Sequence, residues 1–159
     1  MAGRHLWSTP VLPEWIDFNG HMRDAYYGLV VSLATDVLMD EIGMDAAYRE
    51  RSRCTLYTLE MHLHFLDEVK LGDTLEVALR VLAYDAKRLH VALEMRCERH
   101  PGAAAPAEFM LLHVQQGETP GAAPFPPALA ARVAALAAAT AGLPADGPGS
   151  RQMQLKARP

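Results

Sequence analysis

One helix-like segment followed by four strand-like segments constrains the fold of this chain more than any other feature of its sequence. Residues 25–42 carry apolar side chains at helical spacing around most of the girth, which predicts a helix covered on most sides. Apolar and polar residues then alternate, and this pattern predicts strands at residues 55–67, 74–84, 87–98 and 107–116. The short connections between these strands favour an antiparallel meander.

These elements predict the fold class. Each strand has one apolar face that must be covered, and the helix at residues 25–42 is the only long helix in this region. We therefore expect an α+β hotdog fold, in which a curved antiparallel sheet of about five strands wraps around one long central helix. Residues 6–16 are expected to hold a further short strand or an extended segment. Asp24 is the expected N-cap of the helix, and Gly43 is expected just beyond its C-terminus.

The first strand of the meander has two chemically different faces. The apolar residues at its odd positions are expected to lie together, namely Tyr57, Leu59, Met61, Leu63 and Phe65. The polar residues at its even positions are expected on the opposite face, namely Thr58, Glu60, His62 and His64. A metal site is one alternative for this polar face, because two histidines at alternate positions project in the same direction. We expect no metal, and we expect this face to lie at a subunit contact or in solvent.

The composition changes after residue 118, which divides the chain into two parts. Residues 1–118 are expected to form the hotdog domain. Residues 119–159 are expected to hold a proline-rich linker, an alanine-rich helix at 128–141 and a flexible tail. The predicted helix carries a thin apolar stripe, which consists of Leu129, Val133 and Leu136.

Charge and composition exclude several classes of function. The chain has 15 basic and 19 acidic residues among 159, so it lacks the basic stripe of a nucleic-acid-binding protein. Its longest apolar runs are too short for a membrane span, and the N-terminus has no apolar signal region. The two cysteines, Cys54 and Cys97, are too few for a disulfide framework and lack zinc-type spacing. We expect a cytoplasmic protein.

The turn at residues 17–22 carries the strongest candidate for chemistry. Asp17, Asn19 and His21 lie within five residues, around Gly20 and directly before the predicted helix. A helix N-terminus offers unpaired backbone N–H groups and the positive end of a dipole, which together can hold an oxyanion. A carboxylate beside such a pocket can activate water or attack a carbonyl. An ordinary turn is the alternative, because Asp, Asn and Gly are all common turn residues.

The same segment resembles a known family. Residues 11–22 (VLPEWIDFNGHM), followed by Asp24-Ala25-Tyr26-Tyr27, are similar to the 4-hydroxybenzoyl-CoA-thioesterase-like branch of the hotdog superfamily. Three later segments resemble the betainyl-CoA thioesterases, which also occur fused to L-carnitine dehydrogenases, and these are residues 56–62 (LYTLEMH), 87–90 (KRLH) and 111–114 (LLHV). The resemblance covers residues 8–116. Phe18 replaces the usual Tyr, and Arg23 replaces a small polar residue, which places a cation near the expected acyl site.

The resemblance implies a thioester hydrolase that needs no cofactor and no metal. Asp17 would be the catalytic carboxylate, supported by Asn19 and His21, and backbone N–H groups near Gly20 to Met22 and at the helix start would hold the oxyanion. Four further residues would line the substrate site, namely Tyr26, Tyr27, Thr58 and Glu60. The aromatic residues near the helix start would suit a quaternary ammonium acyl group such as that of betainyl-CoA, with core packing as the alternative. Lys87 and Arg88, at the start of a hairpin strand, would contact the coenzyme A phosphates unless they form a solvated hairpin end.

Two other functions remain open from the sequence. A non-catalytic acyl-CoA-binding module would keep the fold without needing the Asp17 carboxylate. An enoyl-CoA hydratase would need a differently placed Asp/His pair on a longer segment, which the sequence lacks. In each case the unpaired edge of the sheet favours a homodimer or a tetramer.

Overall fold

A computed structural model describes residues 3–143 of the chain, and these residues hold six strands, three α-helices and one 3₁₀ turn. The expected flexible tail falls largely outside these described residues. The strands are β1 (Arg4–Pro10), β2 (Cys54–Leu63), β3 (Thr74–Tyr84), β4 (Arg88–Cys97), β5 (Ala105–Gln115) and β6 (Gly121–Ala122). The helices are α1 (Asp24–Glu41), α2 (Ala46–Ser52) and α3 (Pro127–Thr140), with a 3₁₀ turn at Pro13–Trp15.

The strands form one antiparallel sheet in the order β1-β3-β4-β5-β2, and the two-residue β6 pairs with the end of β5. Helix α1 packs on the inner face of this sheet through fully buried side chains, among them Val30, Val31 and Leu38. The sheet contributes an equally buried set from alternate positions, namely Leu75, Val77, Leu89, Val91 and Leu93. Each fully buried aliphatic side chain of this kind contributes about 1.5–3 kcal/mol, so the contact between helix and sheet dominates the core. This is the predicted hotdog architecture.

Helix α1 begins differently from the prediction, and the predicted glycine follows its C-terminal end. The prediction of Asp24 as N-cap was wrong, because Arg23 is the N-cap in extended geometry and Asp24 is already the first helical residue. The Asp24 carboxylate instead accepts a hydrogen bond of 2.8 Å from the Ala25 N–H, and its charge suits the positive end of the helix dipole. Gly43 follows the helix with a positive φ of 87°, and the guanidinium of Arg132 occupies the space that a Cβ would need.

Strand β2 contains a bulge that changes which residues share a face. The pairing with β5 shifts between Thr58 and Glu60, so Leu59 is the extra residue. Tyr57 pairs with Leu112, on the outer face, whereas Met61 pairs with buried Phe109, on the inner face. The prediction that the odd-numbered apolar residues from 57 to 65 share one face was therefore wrong, because a single inserted residue reverses the alternation. For the same reason Thr58, which pairs with buried Leu111, does not share a face with Glu60, which pairs with Met110, so the prediction of one polar face for the even positions was wrong as well.

Helix α3 packs onto the same core as the sheet. Its apolar stripe, Leu129, Val133 and Leu136, is buried as the sequence pattern suggested. Thr140, near the end of α3, is fully buried, and its hydroxyl accepts a 3.1 Å hydrogen bond from the Val81 N–H at a bulge in β3. The same hydroxyl donates to the Leu136 carbonyl at 3.1 Å. None of the helices described between residues 3 and 143 has the length and apolarity that a membrane span requires.

Candidate active site

An open cavity of about 400 Å³ lies at the N-terminus of α1. Its walls come from three parts of the chain: the turn at residues 17–22, the start of α1, and the loop that follows β2. The lining residues are Asp17, His21, Met22, Asp24, Tyr27, Phe65, Leu66, Asp67 and Glu68. The structure thus places Asp17 and His21, two of the three predicted catalytic residues, in one cavity.

The turn that carries Asp17 is held by its own hydrogen bonds. The Gly20 N–H donates to the Asp17 carbonyl at 3.1 Å, and the Asp17 N–H donates to the His21 carbonyl at 2.8 Å. Gly20 has a φ of 80°, which an L side chain rarely adopts, so glycine suits this position. Asp17 Oδ1 accepts hydrogen bonds from the Asn19 N–H at 2.8 Å and the His21 N–H at 3.2 Å. Asp17 is therefore a turn residue as well as a residue of the cavity.

The two oxygens of the Asp17 carboxylate differ in their surroundings. Oδ1 is engaged by two backbone N–H groups, whereas Oδ2 has a long contact of 3.5 Å with Asn19 Nδ2. Partial desolvation raises the pKa of Asp17, but the hydrogen bonds from His21 and Asn19, together with the nearby His21 ring, outweigh it and lower this pKa below its ordinary value. The carboxylate is thus ionised at neutral pH, with Oδ2 the less engaged oxygen.

His21 lies between two acidic groups of the cavity. Its Nε2 is 3.1 Å from Glu68 Oε2, and Glu68 also lies 3.6 Å from the ammonium of Lys70. The Glu68 carboxylate can orient the His21 imidazole by accepting its Nε2–H. This arrangement suits His21 to a supporting role, because its ring is fixed by Glu68 while its backbone N–H fixes Asp17.

Tyr27 fixes the loop that forms the opposite wall. Its hydroxyl donates to the Asp67 carbonyl at 3.3 Å and accepts from the buried Val69 N–H at 3.1 Å. Its ring packs edge-on against Phe65, with centroids 5.3 Å apart. Burial is the main reason why the pKa of Tyr27 is raised. The Tyr27 hydroxyl is therefore committed to the protein, and only its ring contributes to the cavity surface.

Backbone N–H groups of the turn are also committed within the chain. Those of Gly20 and His21 donate to Asp17, and those of Met22 and Arg23 donate to the carbonyls of Val69 and Trp15 at 2.7 and 2.9 Å. The first turn of α1 is committed in the same way, because the Ala25 N–H donates to Asp24 Oδ1 at 2.8 Å and the Tyr26 N–H donates to the Arg23 carbonyl at 3.0 Å. An oxyanion at the expected place, near Gly20 to Met22 and the helix start, would therefore compete with these hydrogen bonds.

Other predicted aromatic and polar residues lie outside the cavity. Tyr26 stacks on buried Trp15 with ring centroids 5.8 Å apart, and Phe18 is 92% exposed, so these rings form no cage. Thr58 and Glu60 lie on β2 and do not line the cavity. Arg23, whose charge argued against a cationic acyl group, is exposed and does not line it either.

Two polar residues of β2 beyond the bulge pair with each other. Glu60 Oε1 lies 2.5 Å from His62 Nε2. Among residues 3–143, no three His, Cys, Asp or Glu side chains are grouped so that they could hold a metal ion.

Lys87 and Arg88 lie at the other end of the sheet from the cavity. Arg88 begins β4, seven residues from Met95, which corresponds to about 23 Å along the strand. The cavity loop lies at the Met95 end, because the Ala104 N–H donates to the Met95 carbonyl while the Ala104 carbonyl accepts from the loop N–H groups of residues 66 and 67.

Arg88 is also paired within its own hairpin. Its Nε and Nη2 lie 2.7 and 2.6 Å from Asp85 Oδ2. Hydrogen bonds from the Lys87 N–H and from Arg88 hold the pKa of Asp85 at about 2. Any contact of Arg88 with a phosphate therefore competes with this ion pair.

Five cavity residues were not predicted from the sequence as site residues, namely Asp24, Phe65, Leu66, Asp67 and Glu68. The sequence pattern placed Phe65 in a strand because the apolar alternation continues to that position. The strand ends at Leu63, and the break in alternation at Leu66-Asp67-Glu68 is the signal that could have marked a loop. The position of this loop opposite Asp17 depends on the hydrogen bond from Tyr27, which is distant from the loop in sequence.

Known proteins resemble the chain over most of its length. A family model of the thioesterase-like superfamily matches residues 11–133. Betainyl-CoA thioesterase of Pseudomonas aeruginosa (strain PAO1) is 50% identical over 138 residues, which are 87% of this chain and 86% of that protein. L-carnitine dehydrogenase/betainyl-CoA thioesterase of Agrobacterium fabrum (strain C58) is 41% identical over 147 residues, which are 89% of this chain and 29% of that protein.

A solved structure agrees with this assignment. Protein SAV2348 of Staphylococcus aureus, in complex with CoA, superposes with a TM-score of 0.89 at 28% identity, covering 98% of both chains. The chain therefore belongs to the thioesterase-like superfamily, which confirms the sequence-based prediction of a hotdog-fold thioester hydrolase.

Proposed function

We propose that the chain hydrolyses a short acyl-CoA to the free acid and coenzyme A, with Asp17 as the catalytic carboxylate. The observation that carries this proposal is the geometry of Asp17 at the start of α1. One oxygen of the carboxylate is held by backbone N–H groups, and the other is less engaged. The lowered pKa of Asp17 keeps the carboxylate ionised. A fixed carboxylate beside a helix N-terminus has what thioester hydrolysis requires.

Two chemical routes fit this geometry. In the first, Asp17 takes a proton from water while the water oxygen forms a bond to the thioester carbonyl. In the second, Asp17 Oδ2 itself bonds to that carbonyl, and water later cleaves the resulting anhydride. In both routes the carbonyl electrons move onto oxygen beside the first turn of α1, and their return breaks the C–S bond. The coenzyme A leaves as thiolate and is then protonated.

Betainyl-CoA is the substrate that we propose for this chain. The relative from Pseudomonas aeruginosa is named for it, and that protein matches most of this chain. The Agrobacterium fabrum relative joins the same activity to L-carnitine dehydrogenase in its name, which supports a role in carnitine breakdown. Cytoplasmic location is part of the proposal, and the two free cysteines, Cys54 and Cys97, are compatible with a reducing compartment.

Two copies of the chain are proposed to complete the site. Strand β2 lies at one end of the sheet, so one row of its backbone groups is unpaired by the other strands. Large apolar side chains on β2 are exposed, namely Tyr57, Leu59 and Met61. Antiparallel pairing of β2 with its copy would bury them and bring the partner's hairpin to this chain's cavity end. Lys87 and Arg88 would then contact coenzyme A bound to the other subunit.

Sedimentation equilibrium tests this assembly. We expect at least twice the chain mass of 17.4 kDa, and a lower mass for Leu59→Lys. Leu71→Lys, a matched change at an equally exposed residue away from β2, should leave the mass unchanged. A monomeric parent protein at micromolar concentration would contradict the dimer.

Thiol release from an acyl-CoA panel tests the catalytic proposal. Asp17→Asn keeps an oxygen for the turn hydrogen bonds and removes the basic carboxylate, so kcat should fall by about 10²–10⁴. Glu14→Gln, a change of an exposed carboxylate in the same segment, should leave kcat within about twofold. Equal activity of parent and Asp17→Asn would remove Asp17 from its role. Tight acyl-CoA binding without hydrolysis of any panel member would favour a non-catalytic acyl-CoA-binding module.

A further inference from the structure

The charge of the cavity is strongly one-sided. Four carboxylates line it, from Asp17, Asp24, Asp67 and Glu68, and the only basic side chain in its lining is the imidazole of His21. Coenzyme A itself carries several negative charges on its phosphates. Such a cavity repels the phosphate end of the substrate and any acidic acyl group, and it attracts a cation.

Three of these four carboxylates already have close partners in the protein. Asp17 accepts from its own turn, Asp24 accepts from the Ala25 N–H, and Glu68 lies beside His21 and Lys70. Asp67 is less engaged: its carboxylate has a long contact of 3.7 Å with the Nδ1 atom of the His100 imidazole. Asp67 is therefore the cavity carboxylate with the weakest competition for an incoming cation.

An aromatic ring lies in the same wall as Asp67. Phe65 is 55% exposed and lines the cavity, and its ring is braced edge-on by Tyr27. An aromatic face attracts a quaternary ammonium group because its quadrupole is negative above the ring. A quaternary ammonium cannot donate a hydrogen bond, so it needs diffuse contacts of this kind rather than a single paired oxygen.

The wall that carries both residues is rigid. The Leu66 and Asp67 N–H groups donate to the Ala104 carbonyl at 2.9 and 3.1 Å. The Asp67 carbonyl accepts from the Tyr27 hydroxyl, and the Glu68 carbonyl lies 2.8 Å from His100 Nε2. Backbone held at this many points keeps the Phe65 ring and the Asp67 carboxylate in fixed positions opposite Asp17.

We propose that Phe65 and Asp67 are the specificity-determining residues that select an acyl group with a fixed positive charge close to the thioester. This inference rests on the proposed function and adds the residues that choose the substrate. A trimethylammonium group bound between the ring and the carboxylate would place the adjoining carbonyl toward Asp17. Neutral groups of the same shape lose both attractions, and anionic groups are repelled.

Two isosteric substrates isolate the charge. Betainyl-CoA and 3,3-dimethylbutanoyl-CoA have acyl groups of the same shape and differ in a single atom, cationic nitrogen or neutral carbon. The measured quantity is the ratio of their kcat/KM values. Asp67→Asn and Phe65→Leu should each lower this ratio by about tenfold. Glu50→Gln, which removes an exposed carboxylate on α2 outside the cavity, should leave the ratio unchanged.

The outcomes separate the two proposals. Hydrolysis of both substrates with the same ratio in the parent, Asp67→Asn and Phe65→Leu would overturn the specificity proposal and leave the thioesterase proposal intact. Hydrolysis of neither substrate by the parent would overturn both. Circular dichroism of each variant separates a change of specificity from a loss of fold.

Discussion

The Tyr27 hydroxyl is a single group on which the cavity wall depends, and its removal gives a sharp test. The hydroxyl bridges the Asp67 carbonyl and the Val69 N–H, which belong to the loop opposite Asp17. Tyr27→Phe removes one oxygen and keeps the ring that packs against Phe65. The change therefore isolates the two hydrogen bonds from the packing.

The expected cost follows from burial. Tyr27 is 5% exposed and Val69 is fully buried, so water cannot replace the lost acceptor. A buried N–H left without a partner costs about 1–3 kcal/mol, and the longer bond to the Asp67 carbonyl adds little. A loss of about 2 kcal/mol in the free energy of unfolding corresponds to a fall in Tm of about 4–8 °C for a domain of this size.

Activity should fall together with stability. The loop keeps its hydrogen bonds to the Ala104 carbonyl, so the wall loosens without unfolding. Because small displacements of groups around a reacting centre are costly, kcat/KM should decrease by about tenfold. Urea denaturation gives the free energy, and thiol release gives the rate.

Tyr26→Phe is the matched control. Tyr26 precedes Tyr27 in the chain, and within residues 3–143 its hydroxyl has no hydrogen bond, while its ring stacks on Trp15. Removing this hydroxyl should change the free energy of unfolding by less than about 0.5 kcal/mol. The reasoning is refuted if Tyr27→Phe proves as stable and as active as Tyr26→Phe.

Three further predictions concern pH, α3 and the end of α1. The pKa of Asp17 is lower in the folded protein than its ordinary value. The stability and the activity that depend on its negative charge are therefore fully present at pH values above the ordinary Asp pKa, and they are lost as the pH falls through the folded pKa. A pH profile of kcat/KM should therefore stay flat on the acidic side down to about pH 4, and a loss of activity at a clearly higher pH would contradict Asp17 as the titrating group. Thr140→Val leaves the buried Val81 N–H without its acceptor and should lower the free energy of unfolding in urea by about 2 kcal/mol. Gly43→Ala places a side chain at positive φ and should cost about 1–2 kcal/mol by the same assay, whereas no loss would show that the backbone there relaxes freely.

Regular, local patterns in the sequence predicted most of the fold. Strand β3 runs from Thr74 to Tyr84 as its alternation indicated, and α1 differs from the prediction by one residue at each end. These elements were predictable because burial of a repeating apolar face is a property of the segment itself. The N-cap prediction failed because Asp24 bonds to the Ala25 N–H from inside the helix, a choice that composition does not reveal.

The candidate site was predictable only in part. Asp17 and His21 could be found because they are adjacent to the helix start in sequence. Asp67 and Phe65 could not, because they are about 50 residues from Asp17 in sequence and are brought opposite it by hydrogen bonds from Tyr27 and to Ala104. Their contribution depends on tertiary contacts rather than on a local motif.

The bulge in β2 has a consequence for how the gene can change. Because Leu59 has no partner in the β2–β5 ladder, a one-codon deletion at this position removes the extra residue and leaves the pairs on both sides in place. Deletion of a paired residue elsewhere in the strand would instead turn every side chain on one side of it to the opposite face. Leu59 is thus the position in β2 where natural length variation can be absorbed, and related sequences with a gap there would keep the same sheet.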